Sequence, residues 1–232
     1  MGVKERRQRE RTEVREKILD AALDVFAHEG AEGVTMRALA DAIEYSPPVI
    51  YAHFRDKEAI IRELCYRQLR ALAKTFATFA DLDPIERLRA IGYVYADFAI
   101  QHPSHFRFMF LTQHPLPDDD AVAKDDPQRN AYAFLRHTAQ DGLDRGLFRP
   151  EYTDADEIAQ LCWASAHGVV ALQNIKGADS WIDWRDARAS ARRLVDATLD
   201  GLVTAEAQPR PASASARRPR ARRSGTGKQP PR

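Results

Sequence analysis

Two adjacent prolines, Pro47 and Pro48, stand between two runs of helical periodicity and constrain the local fold more than any other feature of the chain. A proline cannot occupy a helix interior and is welcome only where a helix begins. The surrounding sequence, TMRALADAIEYSPPVIYAHFRDK from Thr35 to Lys57, must therefore hold two short helices with a tight break between them. Thr35 is a natural N-cap, and Leu39, Ala40 and Ile43 recur at helical spacing, so a first helix is expected from about Met36 to Ile43. Glu44, Tyr45 and Ser46 interrupt it, and a second helix is expected from near Pro48. Ile50 and Phe54, four residues apart, form its buried face, which leaves Pro47, Val49, Tyr51 and His53 nearer the outside. An apolar residue, a phenol and an imidazole suit a thymine methyl group and phosphate oxygens, so double-stranded DNA is the partner these residues fit.

The blocks ILDAALDVFAHEGAEG, VTMRALADAI and SPPVIYAHFRDKEAI resemble the TetR/AcrR family of bacterial transcriptional regulators, over roughly Val14 to Leu64. The resemblance implies an all-α fold, in which an N-terminal three-helix helix-turn-helix DNA-binding domain precedes a larger helical domain for effector binding and dimerisation. On that pattern Tyr51, His53 and Lys57 would position a duplex through its phosphates. Arg37, Pro47, Pro48 and Val49 would face the major groove, with Thr35 and Ser46 beside them. Two departures from the family pattern stand out. Glu44 occupies the turn position where the family usually has glycine, and a left-handed conformation there would cost a non-glycine residue about 1–2 kcal/mol. The proline pair replaces the common polar residue plus glycine, and residues before proline avoid the α region.

Charge is unevenly spread. The formal net charge is +1, yet from Gln208 onward the chain carries eight basic residues and no acid, which leaves −7 on everything before it. Those last residues are rich in Pro, Ala, Ser and Gly and are expected to be disordered, either holding DNA phosphates non-specifically or serving as a passive extension. Residues Lys4 to Lys17 form a shorter basic arm leading into the DNA-binding unit. The N-terminus is charged rather than apolar and no apolar run reaches membrane-spanning length, so neither a secretory signal nor a membrane helix is expected, and a cytoplasmic location follows. Cys65 and Cys162 lie far apart in helical patterns, which suits buried reduced thiols.

The rest of the chain reads as helix. Val14, Ile18, Ala22 and Phe26 define a first helix that Gly30 stops, and a long helix runs from about Lys57 towards Ala80 as a mechanical link. Pro84 begins another, with Ile85, Leu88, Ile91, Tyr95 and Phe98 on its buried side, which His102-Pro103 ends. Residues 113–127 read as a loop, acidic at Asp118 to Asp120, before helix resumes through Leu135 and closes at Gly146. In the last two helices, Ile158, Leu161, Ser165, Val169 and Leu172, with Ala164, Gly168 and Ala171, form one stripe. Ala187, Ala191, Leu194, Val195, Leu199 and Leu202 form the other. Either stripe would serve as internal core or as an association surface, and the family resemblance implies the latter, a homodimer through the last two helices reading a pseudo-palindromic site.

The blocks HPSHFRFMF and CWASAHGVVAL resemble the WHG-type C-terminal domain found on some of these regulators. Two readings of their aromatics stand. In one, Phe98, His102, Phe106, Met109, Phe110, Trp163 and His167 line a mostly apolar small-molecule cavity; in the other they are core, with His167 satisfied by a buried partner. No carboxylate or thiolate stands at ligand spacing beside His102, His105 or His167, so no metal is expected, and no cofactor. Phosphate loops, nucleophile elbows and zinc-protease motifs are missing. The expectation is a non-enzymatic, ligand-responsive DNA-binding regulator, most simply a repressor. Its expected organisation is a basic arm (1–11), a helix-turn-helix domain (12–58), an effector-binding and dimerisation domain (59–205) and a basic tail (206–232). A helical small-molecule-binding or enzymatic protein using the pocket near His167, and a constitutive DNA binder without effector, are the alternatives.

Overall fold

A computed structural model describes residues 2–112 and 125–207. The basic tail from Gln208 onward, and the acidic part of the loop after Thr112, lie outside the described residues.

The described chain is built from α1 (Val3–Gly33), α2 (Met36–Ala42), α3 (Pro47–His53), α4 (Lys57–Ala77), α5 (Pro84–Gln101), α6 (Pro103–Phe106), a π-helical turn (Arg107–Leu111), α7 (Ala131–Asp144), α8 (Ala155–Lys176) and α9 (Ala187–Leu202). Its starts are written in the sequence. Side-chain oxygens of Thr35, Asp56, Asp83, Asn130, Asp154 and Asp186 accept from the first free N–H groups of α2, α4, α5, α7, α8 and α9. Each such cap stabilises its helix by about 1 kcal/mol. Its stops are equally local: Gly30 (φ 73°) breaks α1 near its end, and Gly146 (φ 66°) closes the turn after α7.

The basic arm is not a separate extended segment. It is the first turns of α1, exposed along most of its length, because residues 3–17 contain no glycine or proline and are mostly Arg, Lys, Glu and Gln, all good helix formers. Arg6 and Glu10 pair across one turn at 2.8 Å.

Two cores result. The N-terminal one joins Ile18, Leu19, Ala22 and Phe26 of α1 to Leu39 of α2, Ile50 of α3 and Phe54, and it takes in Ile60, Leu64 and Cys65 of α4. Farther along α4, Leu72, Ala73 and Phe76 belong instead to the larger core, with Ile85, Leu88, Ile91 and Tyr95 of α5 and residues of α7, α8 and α9. One helix thus contributes to both cores. Across the α1–α4 junction Arg67 pairs with Glu16 and Asp20, each at 2.9 Å, and Arg15 reaches Glu63 at 3.5 Å. These are surface pairs worth little individually. The end of α9 is pinned where Phe148 and Val203 form an isolated antiparallel bridge.

Candidate functional site

The first candidate surface is α2, the turn and α3. Thr35 Oγ1 accepts from the Ala38 N–H at 3.1 Å, so its hydroxyl is engaged in capping α2. Glu44 does adopt the left-handed conformation, at φ 60°, and the chain accepts that strain because the Tyr45 N–H then reaches the Ala40 carbonyl at 2.9 Å. Pro47 and Pro48 are the first two residues of α3, as their missing N–H groups require. Ile50 and Phe54 point inward. Arg37, Pro48, Tyr51 and Ala52 are exposed, whereas Pro47, Val49 and His53 are half-buried.

Arg15 of α1 fixes the far end of α3: it donates to the His53 carbonyl at 2.9 Å and lies over the Phe54 ring at 4.1 Å. Burial, then Arg11 and Arg15, hold the His53 imidazole below its usual pKa of 6.5. Lys57 donates from Nζ to the Ala31 carbonyl at 2.7 Å, tying α4 to the break in α1, a role invisible to motif matching. Tyr45 is exposed beside α3, where the sequence pattern marks it only as a helix interrupter.

The second candidate is a cavity of about 80 Å³ in the larger unit, walled by Leu72, Ile91, Tyr95, Phe110, Trp163 and Val195 among others, and almost wholly apolar. Three hydroxyls of its wall, those of Tyr95, Tyr132 and Ser165, are engaged. Tyr95 Oη and His167 Nδ1 lie 2.8 Å apart, Tyr132 donates to Asp156 at 2.7 Å, and Ser165 donates to the Cys162 carbonyl at 2.8 Å. Burial pushes the Cys162 thiol up to about 12, so it remains a neutral, unreactive wall group. Trp163, Phe106 and Phe110 all approach the His167 ring, with centroids 5.2–5.9 Å away.

Of the seven residues expected around a cavity, the structure brings Phe110 and Trp163 to its wall, with His167 and Phe106 directly behind. Phe98, His102 and Met109 are not there. Phe98 is half-buried against His102, which in turn meets His105. Met109 packs against the N-terminal core, because a helical turn that points Phe110 one way must point its neighbour elsewhere. The wall residues from α4, α7 and α9 were missed, since a side chain facing a cavity has the same spacing as one facing solid core.

The imidazoles of His105 and His167 sit below their ordinary pKa of 6.5, mainly through burial. The unfolded chain therefore binds protons more readily at these positions, so stability rises with pH until about 6.5 and is level above it. Melting temperature is expected to fall as the pH drops from about 7 to about 5, and His167→Gln should flatten that decline. An unchanged slope in the variant would mean that His167 does not titrate differently on folding.

The stripes on α8 and α9 divide between inside and outside. Ile158 and Ser165 on α8, and Ala191, Val195, Leu199 and Leu202 on α9, are buried within the chain, correcting their expected place on an association surface. Leu161 (40% exposed), Leu172 (56%) and Ile175 (61%) of α8, and Leu194 of α9, face outward. A Cβ added at Gly168, between them, would meet nothing within 4 Å. The two sets lie on adjoining strips of the same helices, Ser165 and Leu172 falling almost in line two turns apart on α8, which pattern alone cannot separate.

Residues 18–64 match the family of bacterial regulatory proteins of the tetR type, and residues 88–198 match a tetracyclin repressor-like C-terminal domain. The chain is 33% identical over 102 residues to the uncharacterized HTH-type transcriptional regulator YobS of Bacillus subtilis, covering 42% of this chain and 51% of YobS. It thus spans about half the length of that relative. It is 30% identical over 152 residues to the HTH-type transcriptional repressor KstR2 of Mycobacterium tuberculosis, covering 59% of this chain and 70% of KstR2. Its fold matches that of a regulatory protein in the tetR family from Rhodococcus RHA1 with a TM-score of 0.63, at 20% identity over 82% of this chain and 97% of the other. With a matched head, a matched C-terminal domain and a relative aligned over most of its length, the chain belongs to the tetR family of bacterial regulatory proteins.

Proposed function

We propose that this protein is a ligand-responsive transcriptional repressor that binds a pseudo-palindromic operator as a homodimer and releases it when an uncharged, largely apolar effector enters the α4–α9 cavity. One observation carries the reading. The π-helical turn after α6 sends Phe110 into the cavity wall and Phe108 into the N-terminal core, where it meets Phe26 edge-on at 5.0 Å. An effector that displaces Phe110 moves a residue two positions from a core residue of the reading head. A differential affinity of about 1–3 kcal/mol between the two arrangements would shift operator affinity about 5- to 150-fold.

The effector class follows from the walls. No wall residue is an ion at neutral pH, so a charged ligand group would be buried without a partner. KstR2, a relative by sequence, is named a repressor, which supports the sign of regulation. The exposed apolar side of α8 and α9 supports the dimer, and Arg37, Tyr51 and His53 support the duplex contacts, with Lys57 contributing whatever its bond to Ala31 leaves available. The basic arm, head and effector unit are proposed to meet within α1 and α4 rather than at linkers.

A gel shift of the DNA flanking its own gene tests this, at salt that suppresses non-specific binding, repeated with apolar compounds that raise the melting temperature. A sequence-specific complex that such a compound dissociates is the expected result. Absence of any sequence-specific complex would remove this function.

A further inference from the structure

Reading of a base edge in the major groove ordinarily uses a side chain with paired hydrogen-bonding groups: Arg or Lys on guanine, Asn or Gln on adenine, a carboxylate on cytosine. From Ser46 to Phe54 this chain has none of them. Backbone donors are scarce as well. Pro47 and Pro48 have no N–H, and the Val49 N–H is engaged by the Ser46 carbonyl at 2.9 Å. Ile50 and Phe54 are buried, and the His53 carbonyl is taken by Arg15. What α3 offers outward is Pro48 and Ala52, which are exposed, Pro47, Val49 and His53 in part, and the phenol of Tyr51, which is 57% exposed. The flanking charges are differently placed: Arg55 is paired with Asp56 at 2.7 Å, and Arg37 belongs to α2.

A rigid, mainly apolar face, whose outward hydrogen-bonding side chains are the Ser46 and Tyr51 hydroxyls and the half-buried His53 ring, can still distinguish bases, because thymine alone carries a C5-methyl group in the major groove. We propose that this protein selects its operator chiefly through thymine methyl groups packed against Pro47, Pro48, Val49 and Ala52. The inference rests on α2 and α3 being a DNA-reading unit, and it specifies the chemistry that unit reads. The proline pair suits methyl packing because its rings are already fixed, so little side-chain freedom is lost on contact.

The experiment enriches duplexes from a random pool with the whole protein, then replaces each thymine of the enriched site by uracil, one position at a time. Burying one methyl is worth about a fourfold change in affinity, so thymines facing α3 should each lose about that factor on replacement. Where a C·G pair is substituted for such a T·A pair, 5-methylcytosine should recover about the same factor over cytosine, since its methyl occupies the same side of the groove. Val49→Ala or Pro48→Ala should reduce the thymine-to-uracil difference at one position and leave it at the others. Uracil duplexes bound as tightly as thymine duplexes at every position would overturn methyl readout while leaving sequence-specific DNA binding intact. A guanine preference abolished by Arg37→Ala, with no sensitivity to uracil, would overturn it in favour of reading from α2. Failure to enrich any sequence would instead sink the DNA-binding function on which the inference stands.

Discussion

Arginine in place of Gly168 is expected to give a folded monomer whose operator affinity is about 100-fold below that of the wild type. The side chain has room within its own chain, because a Cβ at this position meets nothing within 4 Å, so the core beneath α8 is undisturbed. What it alters is the outward side between Leu161 and Leu172, where a second copy would have to bury an unpaired guanidinium. A dimer places two heads on one duplex, so the second head binds at high effective concentration, an advantage of about 10²–10⁴ that a monomer forfeits. Light scattering and a gel shift on the same sample report both effects. A Gly168→Arg protein that remains dimeric with unchanged affinity would locate the interface elsewhere. Leu199→Asp is no substitute for this variant: Leu199 is 1% exposed inside the larger core, and a carboxylate there would unfold the chain instead of dissociating it.

Phe108→Ala should destabilise the N-terminal unit by about 3–5 kcal/mol, the usual cost of removing a fully buried phenylalanine ring. The ring is 1% exposed and stacks edge-on against Phe26, yet it comes from a segment well beyond the rest of that core, whose other buried members end at Cys65. Urea denaturation of the whole protein should show the head melting ahead of the larger unit, whose own core lacks Phe108. Loss of less than about 1 kcal/mol would mean that the segment lies loosely against α1 and carries no signal.

Legibility in the sequence tracked how local each determinant is. Both short helices around the proline pair, their starts, the stop at Gly30 and the strained position at Glu44 depend on a few neighbouring residues, and all stand where the sequence implied. The cavity depended on how five helices and the π-turn meet. Phe110 and Trp163 were found because an aromatic cluster is conspicuous, but Leu72, Ile91 and Val195 are ordinary stripe residues until their partners are known. Phe98 failed for a related reason: it continues the spacing of Tyr95, yet the true inward sequence at that end of α5 passes through Ala96 and Ala99. On α8, both sides are apolar enough to be buried, one by its own chain and one left outside, and composition does not rank them.

The π-helical turn makes chain length itself a tuning variable. A π-turn is an α-turn carrying one inserted residue, and here Thr112 Oγ1 donates to the Arg107 carbonyl five positions back, at 3.1 Å. Excising a single residue such as Met109 would restore α geometry and leave Phe108 and Phe110 one residue step apart, about 100° around the helix, so that Phe110 no longer reaches the cavity wall while Phe108 stays in the N-terminal core. Effector sensing and head packing could then no longer be satisfied by one segment. Under the proposed function, a lineage would gain or lose inducibility through the insertion or deletion of one codon at this point, with Phe108 and Phe110 themselves left unchanged.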